Sequence, residues 1–446
     1  MMNTALMPTQ SQDTPPLIVE LEGVLAHTDT LHEGILRLIK RQPYLAPAIV
    51  GWSLRGGAFL RAEVARRVEL DVTRLPYDEA LLTRLSEEKA RGRRLVLATV
   101  ADERVAMAVA THLGLFESVH ASNGTRELSG RSREVHLLEA LGGPFEEARR
   151  ATPSRPLPRA LFKALRVHQW AKNVLVFVPL LAAHKGMNLP LILQALLGFL
   201  SFSLCASSVY VLNDLLDLDS DRKHPTKRRR PFASGALPVR WGPWLALGLL
   251  GAGASVAWGL PREFLALLGT YYAITLGYSF YLKQVMMMDV LVLAGLYTVR
   301  IFGGSLAVGV PTSSWLFTFS MFLFLSLALV KRLSEVRRLR LANEAAAPGR
   351  GYVAGDYEQL ATLGVSSGYL SVLVLALYIT SKEVTVLYGH PERLWLLCPV
   401  MMYWVGRVWL LAHRGLVNED PLIFALKDKV SYAVGLIAAG VLLAAT

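Results

Sequence analysis

From about residue 160 to its C-terminus, this chain is a succession of apolar blocks, each about as long as a bilayer-crossing helix. Such a helix needs roughly 20 apolar residues, and every backbone amide within the lipid must be satisfied inside the segment or by its neighbours. The blocks run approximately 165–183, 190–213, 241–260, 263–282, 286–308, 314–331, 366–388, 394–412 and 430–446. Nine spans are therefore predicted, and the fold class expected for residues 161–446 is an all-α polytopic membrane bundle.

Residues 1–150 read differently. Their charges are scattered through the sequence, whereas the chain as a whole is 53% hydrophobic and 18% charged, with mean hydropathy +0.37. A soluble chain carries about a quarter charged residues. The expected layout is a soluble domain over 1–150, a Pro-rich linker over 151–160 (with PSRPLP at its centre) and the membrane part from 161 onward. The start, MMNTALMPTQSQDTPP, has no basic region followed by an apolar stretch, so no secretory signal is expected.

Basic residues orient the bundle. With the N-terminal domain in the cytoplasm, the loops after spans two, four, six and eight hold 7, 1, 6 and 3 Lys or Arg, counting Lys331 with the third of them. The opposite side offers Lys185, Arg262, Lys382 and Arg393. The positive-inside rule then predicts a cytoplasmic N-terminus. It also accounts for the net charge of +12 without nucleic acid, for which no basic face interleaved with aromatics is present. Cys205 and Cys398 lie far apart in apolar runs and read as small core residues.

One loop carries more charge than orientation requires. NDLLDLDSDRKHPTKRRRP, residues 213–231, follows span two with four aspartates and six Lys or Arg. If the helix continues through it, at 100° per residue Asn213, Asp214, Asp217 and Asp221 share an arc of about 100°, and Asp219 points to the opposite side. An oxygen-rich face of this kind suits Mg²⁺, which takes one or two carboxylates plus substrate phosphates. Arg222, His224, Lys227 and Arg230 then meet the remaining phosphate charge, while Lys223, Arg228 and Arg229 serve topology. The bland alternative is a solvated loop, but orientation needs no aspartates, and acids striping a helix at the membrane boundary point to function.

NDLLDLDSD resembles the NDxxDxxxD signature of the UbiA superfamily of intramembrane transferases, through Asn213, Asp214, Asp217 and Asp221. RVHQWAKNVLVFVPLL, DRKHPTKRRRPFASG, GYSFYLK, VKRLSEV and DPLIFALKD are similar to the branch containing decaprenyl-phosphate phosphoribosyltransferase. The resemblance implies a Mg²⁺-dependent transferase acting on a polyprenyl lipid and a diphosphate-bearing donor, in a central cavity open toward the cytoplasm and the lipid. It places the metal on Asn213, Asp214, Asp217 and Asp221, with Lys172 and Asn173 of span one as substrate contacts. Lys172 also reads as a snorkelling lysine. Tyr278, Lys283 and Asp289 would form a second polar site, so the catalytic set expected is Asp214, Asp217, Asp221, Lys283 and Asp289. GYSFYLKQVMMMDV holds one aspartate where the broader prenyltransferase pattern has an acidic cluster, which favours the phosphoribosyl branch; Asp289 as a plain loop acid is the alternative. Arg300, inside span five, either contacts phosphate or is paired structurally. Lys331, Arg332 and Glu335 either close the cytoplasmic mouth or flank it.

Three activities remain open. Phosphoribose transfer to polyprenyl phosphate is preferred, and polyprenyl transfer from its diphosphate to an aromatic acceptor is the alternative, because both expel diphosphate and need the same charge stabilisation. A transporter or lipid-binding scaffold is the reading outside enzymes. Transport sites lie near the midplane, whereas the densest acids here lie at a boundary.

PPLIVELEGVLAHTD and RRLVLATVADERVAMAVATHLGL in the N-terminal domain give an α/β pattern. It resembles the haloacid-dehalogenase-like phosphatases over about 130 residues. Glu20 and Glu22 stand where that family has aspartates, Thr99 fits its second motif, Arg133 replaces a lysine, and the last acidic motif is missing. A glutamate is one methylene too long for the in-line attack geometry, so a catalytically dead domain is expected.

Overall fold

The structure, a computed structural model, describes residues 14–150, 157–343, 351–417 and 420–446. It divides into two compact units, Met1–Leu165 with Tyr210–Leu247, and Arg166–Val209 with Gly248–Thr446.

The first unit is built on a parallel sheet of β1 (Leu17–Val19), β2 (Leu95–Asp102), β3 (Ser118–Ser122) and β4 (Glu146–Glu147), in the order β3-β2-β1-β4. Leu17 aligns with Leu95 and Ile18 with Val96. Both central strands are nearly continuous apolar runs, because helices cover both faces of a parallel sheet. Val19, Leu95 and Leu97 pack on one side, and Ile18, Val96 and Ala98 on the other. The α/β pattern is therefore realised. The linker expected over 151–160 falls partly outside the described residues, and from Leu157 the chain is helical to Ala164.

Helix α1 (Thr30–Arg41) follows β1. The Asp29 side chain accepts from the His32 amide at 3.0 Å at its start, and Lys40 and Arg41 lie in its last turn. Both features match the helix dipole. Glu22 accepts from the Thr30 amide at 2.8 Å. The carboxylate expected at a phosphatase-like position thus buttresses the entry to α1.

The first unit also contains the end of α2 (Leu189–Leu216) from Tyr210 onward, and the short α3 (Leu218–Lys223). Gly235, at φ +69°, closes the following loop, and a Cβ there would lie 2.1 Å from the His27 carbonyl oxygen. Gly235→Ala is therefore expected to destabilise the full chain by about 1–3 kcal/mol, from left-handed strain and backbone collision. Gly248→Ala is the control, since nothing lies within 4 Å of its added Cβ. The check is thermal unfolding of both variants in detergent, and equal melting temperatures would contradict the fit.

In the second unit, α4 (Arg262–Phe280) packs through Phe264, Leu268 and Tyr271 against Leu296. Helices α5 (Met288–Val308), α6 (Ser314–Leu341), α7 (Tyr357–Ile379) and α8 (Leu397–His413) pack around a core that includes Val290, Tyr297, Leu333 and Trp409, while α9 (Lys429–Ala445) brings Ala445 to a separate cluster with Ile379 and Leu397. Among the described residues five helices are long and apolar enough to cross a membrane: Leu189–Leu216, Met288–Val308, Ser314–Leu341, Ala354–Ile379 and Pro391–His413. The chain is thus an α-helical membrane protein with a small N-terminal part containing a parallel sheet.

Of the nine predicted spans, those at 165–183, 241–260, 263–282 and 430–446 are not among these five, and span seven is shifted. Span one is a 3₁₀ segment, Val167–Phe177, running into the short helix Val178–Ala182, where Pro179 occupies the first turn. Its backbone passes so close to α5 that a Cβ on Gly304 would lie 2.1 Å from the Val176 carbonyl oxygen. The block at 241–260 yields the 16-residue helix Gly242–Ala257. Span seven begins earlier than its apolar run, at Tyr357, because Tyr357 and Leu360 are buried against the bundle core. The connection expected over 332–365 is largely helical, since α6 continues to Leu341. Its residues 344–350 lie outside the described residues.

Candidate functional site

The acidic motif sits at the junction of α2 and α3 in the first unit. The helical ladder nearly survives it: the Asp217 amide donates to the Asn213 carbonyl at 2.9 Å and the Asp221 amide to the Asp217 carbonyl at 2.8 Å. Asp217 itself leaves helical geometry, at φ −102° and ψ 14°. Asp214 and Asp221, seven residues apart, therefore still face the same way.

Both of these carboxylates are buried, and they share one cation. Arg230 donates through Nη1 to Asp214 at 3.2 Å and to Asp221 at 2.6 Å. Burial pushes the Asp221 carboxyl up, and Arg230 beside it offsets only part of that rise. Asp217 turns outward to Lys40 at 3.3 Å, and Asp219 pairs with Arg37. The geometry thus joins two of the three expected acids, while Asp217 and Asp219 both face basic residues of α1. Asp217 departs from the shared arc because the helix breaks at that residue. Among the described residues, no three His, Cys, Asp or Glu side chains group closely enough to hold a metal.

The donor chemistry nevertheless fits a hard divalent cation. Two buried carboxylates already converge on a positive charge, Asn213 lies one residue before Asp214, and oxygen donors are what Mg²⁺ selects.

The basic residues of the loop divide. Arg222 is turned inward, its guanidinium buried against Glu33 at 2.9 Å with Nε donating to the Ala233 carbonyl at 3.2 Å. In this arrangement its charge is committed to the protein rather than to a ligand. His224 Nδ1 accepts from the Thr226 amide at 3.3 Å. Lys227 is exposed on the 3₁₀ turn Lys227–Arg229.

The second unit holds its own polar cluster. Lys172, on the 3₁₀ segment, meets Asp420 at 2.6 Å, and Lys331 of α6 approaches the same carboxylate at 3.8 Å. The Tyr297 hydroxyl donates to Asp420 at 2.9 Å. Burial pushes the Asp420 carboxyl up, but Lys172 and Lys331 outweigh it and hold it at about 2. Tyr297, Lys331 and Asp420 meet Leu293, Leu327 and Pro421 in a tightly closed cleft. A lysine pair held by a single acid offers a phosphate oxygen surplus positive charge.

Asp420's pKa makes a pH prediction. Its carboxyl is held below the ordinary carboxylate value, so its ionised form stabilises the fold above about pH 4. That contribution, on the order of 2 kcal/mol, is lost as pH falls through about 2. In detergent, Asp420→Asn should melt lower than wild type at pH 6, with the difference shrinking toward pH 2. A constant difference across that range would show that the ionised carboxylate is not responsible.

Asn173 and Arg300 form a buried pair of a different kind. Arg300 donates from Nε to Asn173 Oδ1 at 2.7 Å, from Nη2 to the Tyr271 hydroxyl at 2.9 Å, and from Nη1 to the Leu296 carbonyl. Its guanidinium also lies 5.0 Å from the Tyr271 ring centre. Asn173 donates onward to Ser203 at 2.9 Å. Neutral oxygens and aromatic faces, with no carboxylate among these contacts, satisfy this intramembrane cation.

Asp289, buried at the start of α5, ion-pairs with Arg332 at 2.6 Å and accepts from the Tyr352 hydroxyl at 2.6 Å. Arg332 also reaches Tyr278 at 3.3 Å and Glu335. Tyr278 and Asp289 are thus brought together as expected, through an arginine that the sequence reading had only at the mouth. Lys283 lies on the short turn Leu282–Gln284, half-buried. Asp420 and Tyr297 were not foreseen as site residues, although DPLIFALKD, which begins at Asp420, was noticed as a motif.

In the N-terminal part, Glu20 ion-pairs with Arg133 at 3.2 Å. Burial pushes its carboxyl up, while Arg133 and a hydrogen bond from Thr99 draw it down. These three side chains converge, and the same arginine reaches Glu147 at 2.9 Å.

Comparison with known proteins places these residues in context. Residues 173–421 match the model of the UbiA prenyltransferase family. The chain is 34% identical over 94% of its length to the uncharacterized protein y4nM of Sinorhizobium fredii, covering 89% of that protein. It is 35% identical to the decaprenyl-phosphate phosphoribosyltransferase of Mycolicibacterium smegmatis over 42% of this chain and 60% of that one. Among solved structures, a UbiA homolog from Archaeoglobus fulgidus bound to DMAPP and Mg²⁺ aligns with 63% of this chain and 96% of its own, at 17% identity and a TM-score of 0.49. The family match begins at residue 173, so it leaves the kinship of the N-terminal part to phosphatases unsupported.

Proposed function

The chain belongs to the UbiA prenyltransferase family and is an integral membrane transferase; from that premise we propose that it transfers 5-phosphoribose from phosphoribosyl diphosphate to a polyprenyl phosphate, with loss of diphosphate. The observation that carries the subtype is the state of Asp289. It is the one aspartate of GYSFYLKQVMMMDV and pairs with Arg332 and Tyr352, whereas a second acidic metal cluster needs several carboxylates together. The partial similarity to decaprenyl-phosphate phosphoribosyltransferase points the same way.

In this reading Asn213, Asp214, Asp217 and Asp221 hold Mg²⁺, which offsets the negative charge of the departing diphosphate. Lys172, Lys331, Lys227 and Arg230 supply fixed positive charge for phosphate oxygens, and Asp420 keeps the first two oriented. Tyr278 and Lys283 are read as further polar substrate contacts within the second unit. The anomeric carbon becomes oxocarbenium-like as diphosphate leaves, and a phosphate oxygen of the lipid closes the new bond. The protein is read as residing in a bacterial-type inner membrane, with its N-terminal part and acidic motif on the cytoplasmic side.

The alternative, suggested by the family's own name, is transfer of a polyprenyl chain from its diphosphate to an aromatic acceptor. Purified protein with Mg²⁺ decides between them. One reaction receives labelled phosphoribosyl diphosphate and polyprenyl phosphate, and the other polyprenyl diphosphate and 4-hydroxybenzoate. Labelled lipid in the first is the expected result; product in the second alone would overturn the assignment.

A further inference from the structure

Helix α1 touches the acidic motif at every turn. Glu33, Arg37 and Lys40 lie at i, i+4 and i+7, within about 60° of one another around the helix. All three contact the α2–α3 junction. Glu33, 3% exposed, pairs with Arg222, whose side chain is 6% exposed. Arg37 pairs with Asp219. Lys40 donates to the Leu216 carbonyl at 2.6 Å and to Asp217 at 3.3 Å.

The contacts differ in kind. Glu33 also accepts from Thr28, so the buried carboxylate has partners on both oxygens. Arg222 in turn holds the Ala233 carbonyl, which ties α3 to the loop that carries Arg230. This pair fixes α3, and with it the orientation of Asp221 toward Asp214. Lys40 is half-exposed and touches the side chain of the acid that leaves the shared arc. It puts a positive charge where a divalent cation would otherwise act on Asp217.

We propose that α1 is a positioning element of the acidic motif, with Glu33 holding it in register through Arg222 and Lys40 tuning the affinity of Asp217 for a divalent cation. The N-terminal part then sets the transferase's metal response without contributing chemistry of its own. The proposal rests on the reading of the motif as a metal site, and its test separates the two.

The test uses the full-length protein in detergent, with Mn²⁺ alone as the probe, and binding followed by the loss of the free-ion electron paramagnetic resonance signal. Lys40→Gln removes an exposed competing charge and should tighten binding roughly two- to fivefold. Glu33→Gln strands a buried guanidinium and lets α3 shift, and should weaken binding roughly 10–100-fold, as loss of partners that orient metal ligands does. The exchange Glu33→Arg with Arg222→Glu should recover most of that loss, which general destabilisation would not. Should Glu33→Gln fail to fold, Lys40→Gln still decides. Wild-type affinity in the folded α1 variants, with Mn²⁺ binding abolished by Asp217→Asn, would overturn the role of α1 and leave the metal site standing. Absence of Asp217-dependent Mn²⁺ binding in the wild type would overturn both.

Discussion

Asp217→Asn is expected to reduce transfer by at least about a hundred- to a thousandfold, with expression and folding intact. The magnitude is that of removing one preorganised group that stabilises developing charge, and an amide cannot supply a carboxylate's charge to a divalent cation. Folding should survive because the residue's side-chain contact is a partly exposed pair with Lys40, 3.3 Å away, and such pairs are worth about 0–1 kcal/mol. Asp219→Asn is the matched control. It sits two residues on, pairs with Arg37, and should change turnover by no more than a few-fold. Rates measured with the donor that gives product, alongside melting curves of both variants, decide the matter. Full activity in Asp217→Asn would remove the metal reading, and equal losses in the two variants would show that the loop matters only as a structure.

Arg332→Met should be the most destabilising of these substitutions. Arg332 and Asp289 are both fully buried, 2.6 Å apart, and removing one partner of such a pair costs about 3–5 kcal/mol. Tyr352 still donates to Asp289, and Glu335 and Tyr278 also lose their guanidinium neighbour. At about 2–4 °C per kcal/mol for a unit of this size, the melting temperature should fall by on the order of 10 °C. The double variant Asp289→Asn with Arg332→Met should recover most of it, because the stranded charge is gone. A single variant that melts like wild type would mean that the pair contributes nothing to holding α5 against α6.

The contrast between these two substitutions shows what could be read before the fold was known. The apolar blocks, the α/β pattern and the one-sidedness of Asp214 and Asp221 were legible because each follows from a local period. Asp217's departure was not, since a single residue leaving helical geometry has no periodic signature. Span one misled for a related reason. RVHQWAKNVLVFVPLL has apolar content enough for a helix, but its backbone is packed tightly against Gly304 and winds as 3₁₀.

The cations were harder still. Arg222 was expected to meet phosphate, and Arg300 to meet either phosphate or a structural partner; in the fold Arg222 is held by a carboxylate 189 residues away and Arg300 by an asparagine 127 residues away. Charge type can be read locally, but partners at that separation cannot. The face of α1 carrying Glu33, Arg37 and Lys40 had a visible spacing. On its own it reads as a solvated surface, and only the folded unit shows what it covers.

The Lys172–Asp420 pair spans 248 residues of chain, which has a consequence for synthesis. At about 5–20 residues per second, Lys172 leaves the ribosome roughly 12–50 s before its partner exists. Through that interval the nascent protein carries a lysine in its first membrane-proximal segment with this neutralising acid still to come. A product halted before residue 420 stays in that state, so the unmatched charge marks an unfinished chain, and quality control has something to read until the last loop arrives.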